Sequence, residues 1–141
     1  MSEVVKKAQA AKKAAAKLAV LNAQAKNEAL LAIAHVLEDN MDKILEANAL
    51  DMKNGQENGM AQSLLDRLAL NEQRIKDMAL GLRQIVALPD PVGEVLSSIT
   101  RPNGLIIEKI RVPLGLIGMI YEARPNVTVD STALALKTGN G

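Results

Sequence analysis

Apolar side chains recur at three- and four-residue steps through most of residues 1–93, the spacing of helices that bury one face. Val4, Ala8, Ala11, Ala15 and Leu18 mark a first helix, ringed by Lys6, Lys7, Lys12, Lys13 and Lys17. A second is predicted to start near Asn22 and to place Leu30, Ile33, Ala34 and Leu37 on one face before Asp39-Asn40 interrupts it. Ile44, Leu45, Ala49 and Met52 mark a third, with Gly55 as a left-handed terminator and Asn54 to Met60 as a loop. Ser63 is expected to cap a short turn over Leu64 to Leu68. The clearest local signature follows: Asn71 at a cap, Leu70 and Ile75 placed as a hydrophobic staple, and a stripe of Ile75, Ala79, Leu82, Ile85 and Val86. Pro89-Asp90-Pro91 ends that helix, because proline lacks the N–H and disfavours helical dihedrals in the residue before it.

Beyond Gly93 the pattern becomes that of strands. Val95 to Thr100 and Leu105 to Val112 flank Arg101-Pro102-Asn103-Gly104, a turn sequence that predicts a hairpin. Both of its faces are partly apolar, which suggests that each is covered. After Pro113, the nearly continuous apolar run Leu114 to Tyr121 reads as a strand buried on both sides, as in a parallel sheet. A polar loop, Glu122 to Asn126, leads to a helix carrying Val129, Ala133, Leu134 and Leu136, capped by Thr128 or Asn126, with Asp130 near its positive end. Strand, loop and helix make two-thirds of a βαβ unit. The expectation is an incomplete sheet, the chain being an amino-terminal piece of a longer protein or needing a partner chain.

Composition narrows the classes. The 141 residues are 48% hydrophobic and 23% charged, as in an ordinary globular domain. With no Phe, no Trp and one Tyr, Ala and Leu must fill the interior, so helices can approach closely. Seventeen basic against sixteen acidic residues leave a net charge of +1, without the field of a nucleic-acid or anionic-membrane binder. The Lys-Ala stretch at the start therefore reads as a solvated helix face. A nucleic-acid arm, and with it a helical binding module without catalytic activity, is the alternative. No membrane span or signal peptide is expected, and the absence of cysteine excludes a disulfide framework, a thiolate metal site and a cysteine nucleophile within these residues. A cytoplasmic address follows by elimination.

Candidate chemistry is sparse. Gly115 and Gly118 do not form a dinucleotide fingerprint and read as sites of close backbone packing, and Gly139-Asn140-Gly141 follows a helix instead of opening one. His35 has no second ligand at helical spacing, Asp39 and Asp42 read as helix-end residues, and no metal site is expected. The loop from Glu122 to Asn126 is stronger, because ligands of open α/β sheets bind where strands end and helices begin. Arg124 offers a guanidinium fork suited to phosphate or carboxylate, and Asn126 a neutral donor suited to a developing oxyanion. Their alternatives are a surface ion-pair partner and a helix cap.

The segment VPLGLIGMIYEARPNVTVDSTALALKTGN, from Val112 to Asn140, resembles the γ-glutamyl phosphate reductase (glutamate-5-semialdehyde dehydrogenase) family of the aldehyde dehydrogenase superfamily. The resemblance extends through ILEANALDM, SLLDRLAL and LRQIVALPDPVGEVL, at Ile44 to Met52, Ser63 to Leu70 and Leu82 to Leu96. It implies an α/β fold: residues 1–93 as the helical part of the cofactor-binding domain, 94–112 as the hairpin of the oligomerisation region, and 113–141 as the start of an incomplete parallel, Rossmann-like core. It also implies NADPH-dependent reduction of L-glutamyl 5-phosphate to L-glutamate 5-semialdehyde and phosphate in proline biosynthesis, by a homo-oligomer with a catalytic cysteine. That cysteine is absent here, so these residues alone are expected to be inactive. By the same resemblance Asn126 is the catalytic, oxyanion-stabilising residue, and Arg124 and Pro125 are substrate- or cofactor-binding. One departure stands out: general aldehyde dehydrogenases carry a shorter Pro-Trp-Asn turn where this chain has Glu-Ala-Arg-Pro-Asn.

Overall fold

A computed structural model describes residues 2–141. Five helices come first: α1 (Glu3–Leu18), α2 (Ala23–Asp39), α3 (Met41–Glu57), α4 (Gln62–Leu68) and α5 (Glu72–Ala87). An antiparallel hairpin of β1 (Val95–Thr100) and β2 (Ile106–Ile110) follows, and α6 (Pro125–Lys137) closes the order. No described helix is long and apolar enough to cross a membrane.

The Asn71 cap forms as the sequence predicts, and Asn22, near which a helix start is predicted, proves to be a cap as well. The side chains of Asn22 and Asn71 accept from the N–H groups of Ala25 and Arg74, satisfying a donor that each helix start leaves free. The core lies where α2, α5 and α6 meet, with Leu30, Ala34, Ala79, Leu82 and Ala133 fully buried and Ile33, Ile85, Val86 and Val129 packed around them. Ala34, Ala79 and Ala133 keep the axes close, as the aromatic-poor composition implies. A bidentate pair on the rim, Arg83 to Glu38 at 2.8 and 2.6 Å, ties α5 to α2. The hydrogen bond from Arg83 holds the Glu38 carboxyl below its ordinary range. The lysines of α1 are exposed, and Ala15 is its one fully buried residue.

Two local expectations are corrected. Gly55 does not terminate α3, which runs on to Glu57; the left-handed residue is Gly59, at φ +70°. Gly55 is instead a point of close approach, since a Cβ there would stand 3.0 Å from Leu65 Cδ2. Ser63 is not a cap either, because α4 begins one residue before it and has Ala61 at the cap without a side-chain bond. The turn between α4 and α5 is held by Asn48 of α3, whose amide donates to the Leu68 carbonyl at 2.9 Å and accepts from the Leu70 N–H at 2.8 Å. Asn48 is buried, so Asn48→Ala strands two backbone groups. A loss of about 1–3 kcal/mol in urea unfolding is the expected result.

The hairpin has the predicted turn, with Gly104 at φ +85° and Ile99 opposite Ile107. Its residues are exposed on both faces, however, and no described element covers them. The larger correction concerns Leu114 to Tyr121. This run is extended but forms no strand, and Leu114, Met119, Ile120 and Tyr121 are exposed, because no neighbouring strand among the described residues pairs with it. Gly141 alone does so: its N–H donates to the Gly115 carbonyl and its carbonyl accepts from the Ile117 N–H, both at 2.8 Å. One residue bonded to both neighbours of the residue opposite is the rung of a parallel pair. A Cβ at Gly141 would lie 2.7 Å from the Ala11 carbonyl oxygen, so only glycine fits there. Gly115 and Gly118 have no such neighbour; Gly115 is needed for its φ of +110°.

Candidate functional site

The extended run leads into Glu122-Ala123-Arg124, where Ala123 takes a left-handed φ of +45° that costs about 1–3 kcal/mol in a residue with a Cβ. Pro125 then opens α6 at its first position, where a missing N–H costs nothing, and Arg124 stands outside the helical region at the cap, as proline favours in the residue before it. Neither Thr128 nor Asn126 caps the helix, which has no side-chain cap. Asn126 sits inside the first turn and donates through Nδ2 to Asp130 Oδ2 at 3.3 Å, one helical turn on. Asp130 is thus in the second turn, where it orients this amide instead of facing the helix end. The Tyr121 hydroxyl meets Thr128 Oγ1 at 2.5 Å and fastens the loop to the helix.

An open cleft of about 430 Å³ lies between α4, α5 and the start of α6, and both Arg124 and Asn126 line it. Pro125 does not line it; its part is to set where the helix begins. Arg67, Arg74, Asp66, Asp77 and Asp130 complete the polar lining. Arg74 is committed to the fold, donating to the carbonyls of Asp66 and Ala69 and approaching the Asp66 carboxylate at 3.7 Å. Asp77 accepts from Gln73 at 2.9 Å. Arg67 and Arg124 form no ion pair or side-chain hydrogen bond among the described residues. The cleft therefore presents two available guanidinium groups beside an amide donor that keeps one N–H free. Guanidinium groups pair with anions, and a free amide N–H can donate to an oxygen that gains negative charge.

Sequence reasoning had Arg124 and Asn126 and missed Arg67. It also missed a buried charge cluster at the far ends of α5 and α6 from the cleft. Lys26 of α2 is completely buried, with Nζ 2.6 Å from Asp90 Oδ2, and Lys137 of α6 is buried with Nζ 2.7 Å from Asn27 Oδ1 and 3.1 Å from the Val86 carbonyl. Burial pushes the Asp90 carboxyl upward, but the bonds from Lys26 and the Val92 N–H, with the charges of both lysines, hold it below its ordinary range. Burial pushes Lys137 down from the usual lysine range. His35 is exposed at the surface of α2.

No protein-family model matches the chain. Individual proteins do. It is 63% identical over 98% of its length to the γ-glutamyl phosphate reductase of Moorella thermoacetica, and 56% identical over 99% to that of Anoxybacillus flavithermus. The crystal structure of the Thermotoga maritima γ-glutamyl phosphate reductase superposes with a TM-score of 0.95 over 99% of the chain at 46% identity. In sequence and fold the chain is thus similar to one region of the γ-glutamyl phosphate reductases. The Saccharomyces cerevisiae γ-glutamyl phosphate reductase structure agrees, with a TM-score of 0.94 at 34% identity. The chain spans about a third of the length of these relatives, 33% of the Moorella protein and 34% of the Thermotoga chain.

Proposed function

We propose that this chain is the amino-terminal part of an enzyme that reduces L-glutamyl 5-phosphate to L-glutamate 5-semialdehyde with release of phosphate, in proline biosynthesis. The observation that carries the reading is the 63% identity to a γ-glutamyl phosphate reductase through the whole cleft-forming region. In this reading residues 1–93 are the helical part of the cofactor-binding domain, 94–112 belong to the oligomerisation region of a homo-oligomer, and 113–141 begin a parallel, Rossmann-like core of the aldehyde dehydrogenase superfamily. The rung between Gly141 and the Leu116 backbone neighbours supports the last assignment, and the exposed Ile99, Ile106, Ile107 and Ile110 support the second. A cytoplasmic address stays part of the proposal on the composition of the chain.

The hydride in this family reading comes from NADPH. The part assigned to the chain is to bind and orient the acyl group. Arg124 attracts the anionic end of the substrate. Asn126, its amide turned by Asp130, donates its free N–H to the carbonyl oxygen as negative charge collects there. Pro125 fixes the turn that presents both.

The test is the reverse reaction of a full-length reductase carrying this region. Glutamate 5-semialdehyde and inorganic phosphate are expected to reduce NADP, with no reduction when phosphate is left out. Reduction that is independent of phosphate would count against an acyl-phosphate enzyme.

A further inference from the structure

The polar lining of the cleft has an internal balance that an anion site does not need. Three arginines, Arg67, Arg74 and Arg124, face three aspartates, Asp66, Asp77 and Asp130. Arg74 and Asp66 neutralise each other. Among the described residues, what remains are two guanidinium groups without partners, and two carboxylates whose side-chain partners are the neutral amides of Gln73 and Asn126. A carboxylate that accepts from a neutral amide keeps its full charge and unused lone pairs. The free groups are thus two cations and two anions around one opening of about 430 Å³, which suits a ligand that itself carries both signs.

We propose that Arg67 determines specificity by holding the α-carboxylate of an α-amino-acid substrate, while Asp77 and Asp130 face its ammonium group. The proposal rests on the reading that Asn126 faces the reacting acyl group. With Asn126 and Arg124 both on the α6 side of the cleft, Arg67 is the available cation on the opposite wall, in the last turn of α4. Its place there depends on the α4–α5 turn, which Asn48 and Arg74 hold by four bonds to backbone groups. A planar, bidentate donor fits a carboxylate better than a lysine would.

Three aldehydes separate the contacts in the same NADP-reduction assay of a full-length reductase carrying this region. Glutamate 5-semialdehyde has both α-substituents, 5-oxopentanoate lacks the ammonium, and 4-aminobutanal lacks the carboxylate. In Arg67→Gln, KM is expected to rise about 10- to 100-fold for the first two and to stay unchanged for 4-aminobutanal, with KM for phosphate unaffected. Arg67→Lys should recover part of the loss. Because Arg67 is exposed and bonds to nothing else described, the thermal melt should not move. An equal rise for all three aldehydes, a rise in KM for phosphate, or no change overturns the proposal. Asn126→Ala in parallel tells this failure from that of the site: a lost kcat there with a silent Arg67→Gln sinks the specificity role alone.

Discussion

Asp90→Ala is expected to destabilise the chain by about 3–5 kcal/mol, because it leaves the fully buried ammonium of Lys26 without a counter-charge. Lys26 reaches Asp90 across 64 positions, at 2.8 and 2.6 Å from its two carboxylate oxygens, and the same carboxylate accepts from the Val92 N–H at 3.0 Å. Asp90 therefore neutralises one lysine, lowers the field on a second, and turns the chain between its two prolines toward the hairpin. Urea unfolding of the chain should register the loss as a lower midpoint with an unchanged slope. Asp90→Asn keeps the hydrogen-bonding shape and should cost less. The double variant Lys26→Met, Asp90→Asn should be closer to the parent than Asp90→Ala, since burying two neutral groups avoids the unpaired charge.

Acid should erode the same contribution. The Asp90 carboxyl titrates lower in the folded chain than its unfolded value near ~3.9, so the unfolded chain takes up protons first. Stability from this site is present above that value and is lost as pH falls through the folded one. The gap between the parent and Asp90→Asn should narrow over that window. An undiminished gap after full protonation would show that charge is not what Asp90 contributes. Lys137 acts at the other end: its folded value is depressed, so its burial is disfavoured while it is charged, and stability at this site rises as pH approaches the lysine range.

How much of this was legible in the residues follows from the range of the interactions. Asn71 could be read as a cap, and a helix start near Asn22, because a cap is decided within three residues of the chain. The hairpin turn could be read for the same reason, through Gly104 and its positive φ. Gly55 could not, since what requires a glycine there is Leu65, packed from the next helix, and no local pattern shows it. Leu114 to Tyr121 has the composition of a buried strand but not the neighbours, and a strand exists only through its ladder. The site divides in the same way. Arg124 and Asn126 stand out beside Pro125 at the turn into a helix, whereas Arg67 looks like any exposed helix residue until α4 and α6 are brought to one cleft. Lys26 and Lys137 look like solvated lysines on amphipathic helices until both prove buried around Asp90.

Asn126→Ala should lower kcat about 10²- to 10³-fold in a full-length reductase carrying this region, with little change in KM for glutamate 5-semialdehyde. A donor aimed at charge that appears only as the carbonyl oxygen becomes an oxyanion contributes to the transition state and not to ground-state binding, so the loss belongs in turnover. The fold should not respond. Asn126 is exposed, makes one side-chain bond at 3.3 Å, and is not a cap, so the melt of Asn126→Ala should match the parent. Asn126→Asp should be slower still, because it puts a negative charge beside Asp130 and against the developing oxyanion. Asp130→Ala separates orientation from donation: it frees the amide to rotate and should cost less than losing the donor. Unchanged turnover in Asn126→Ala would remove the residue from the chemistry and leave Arg124 as the only contact assigned to the reacting end of the substrate.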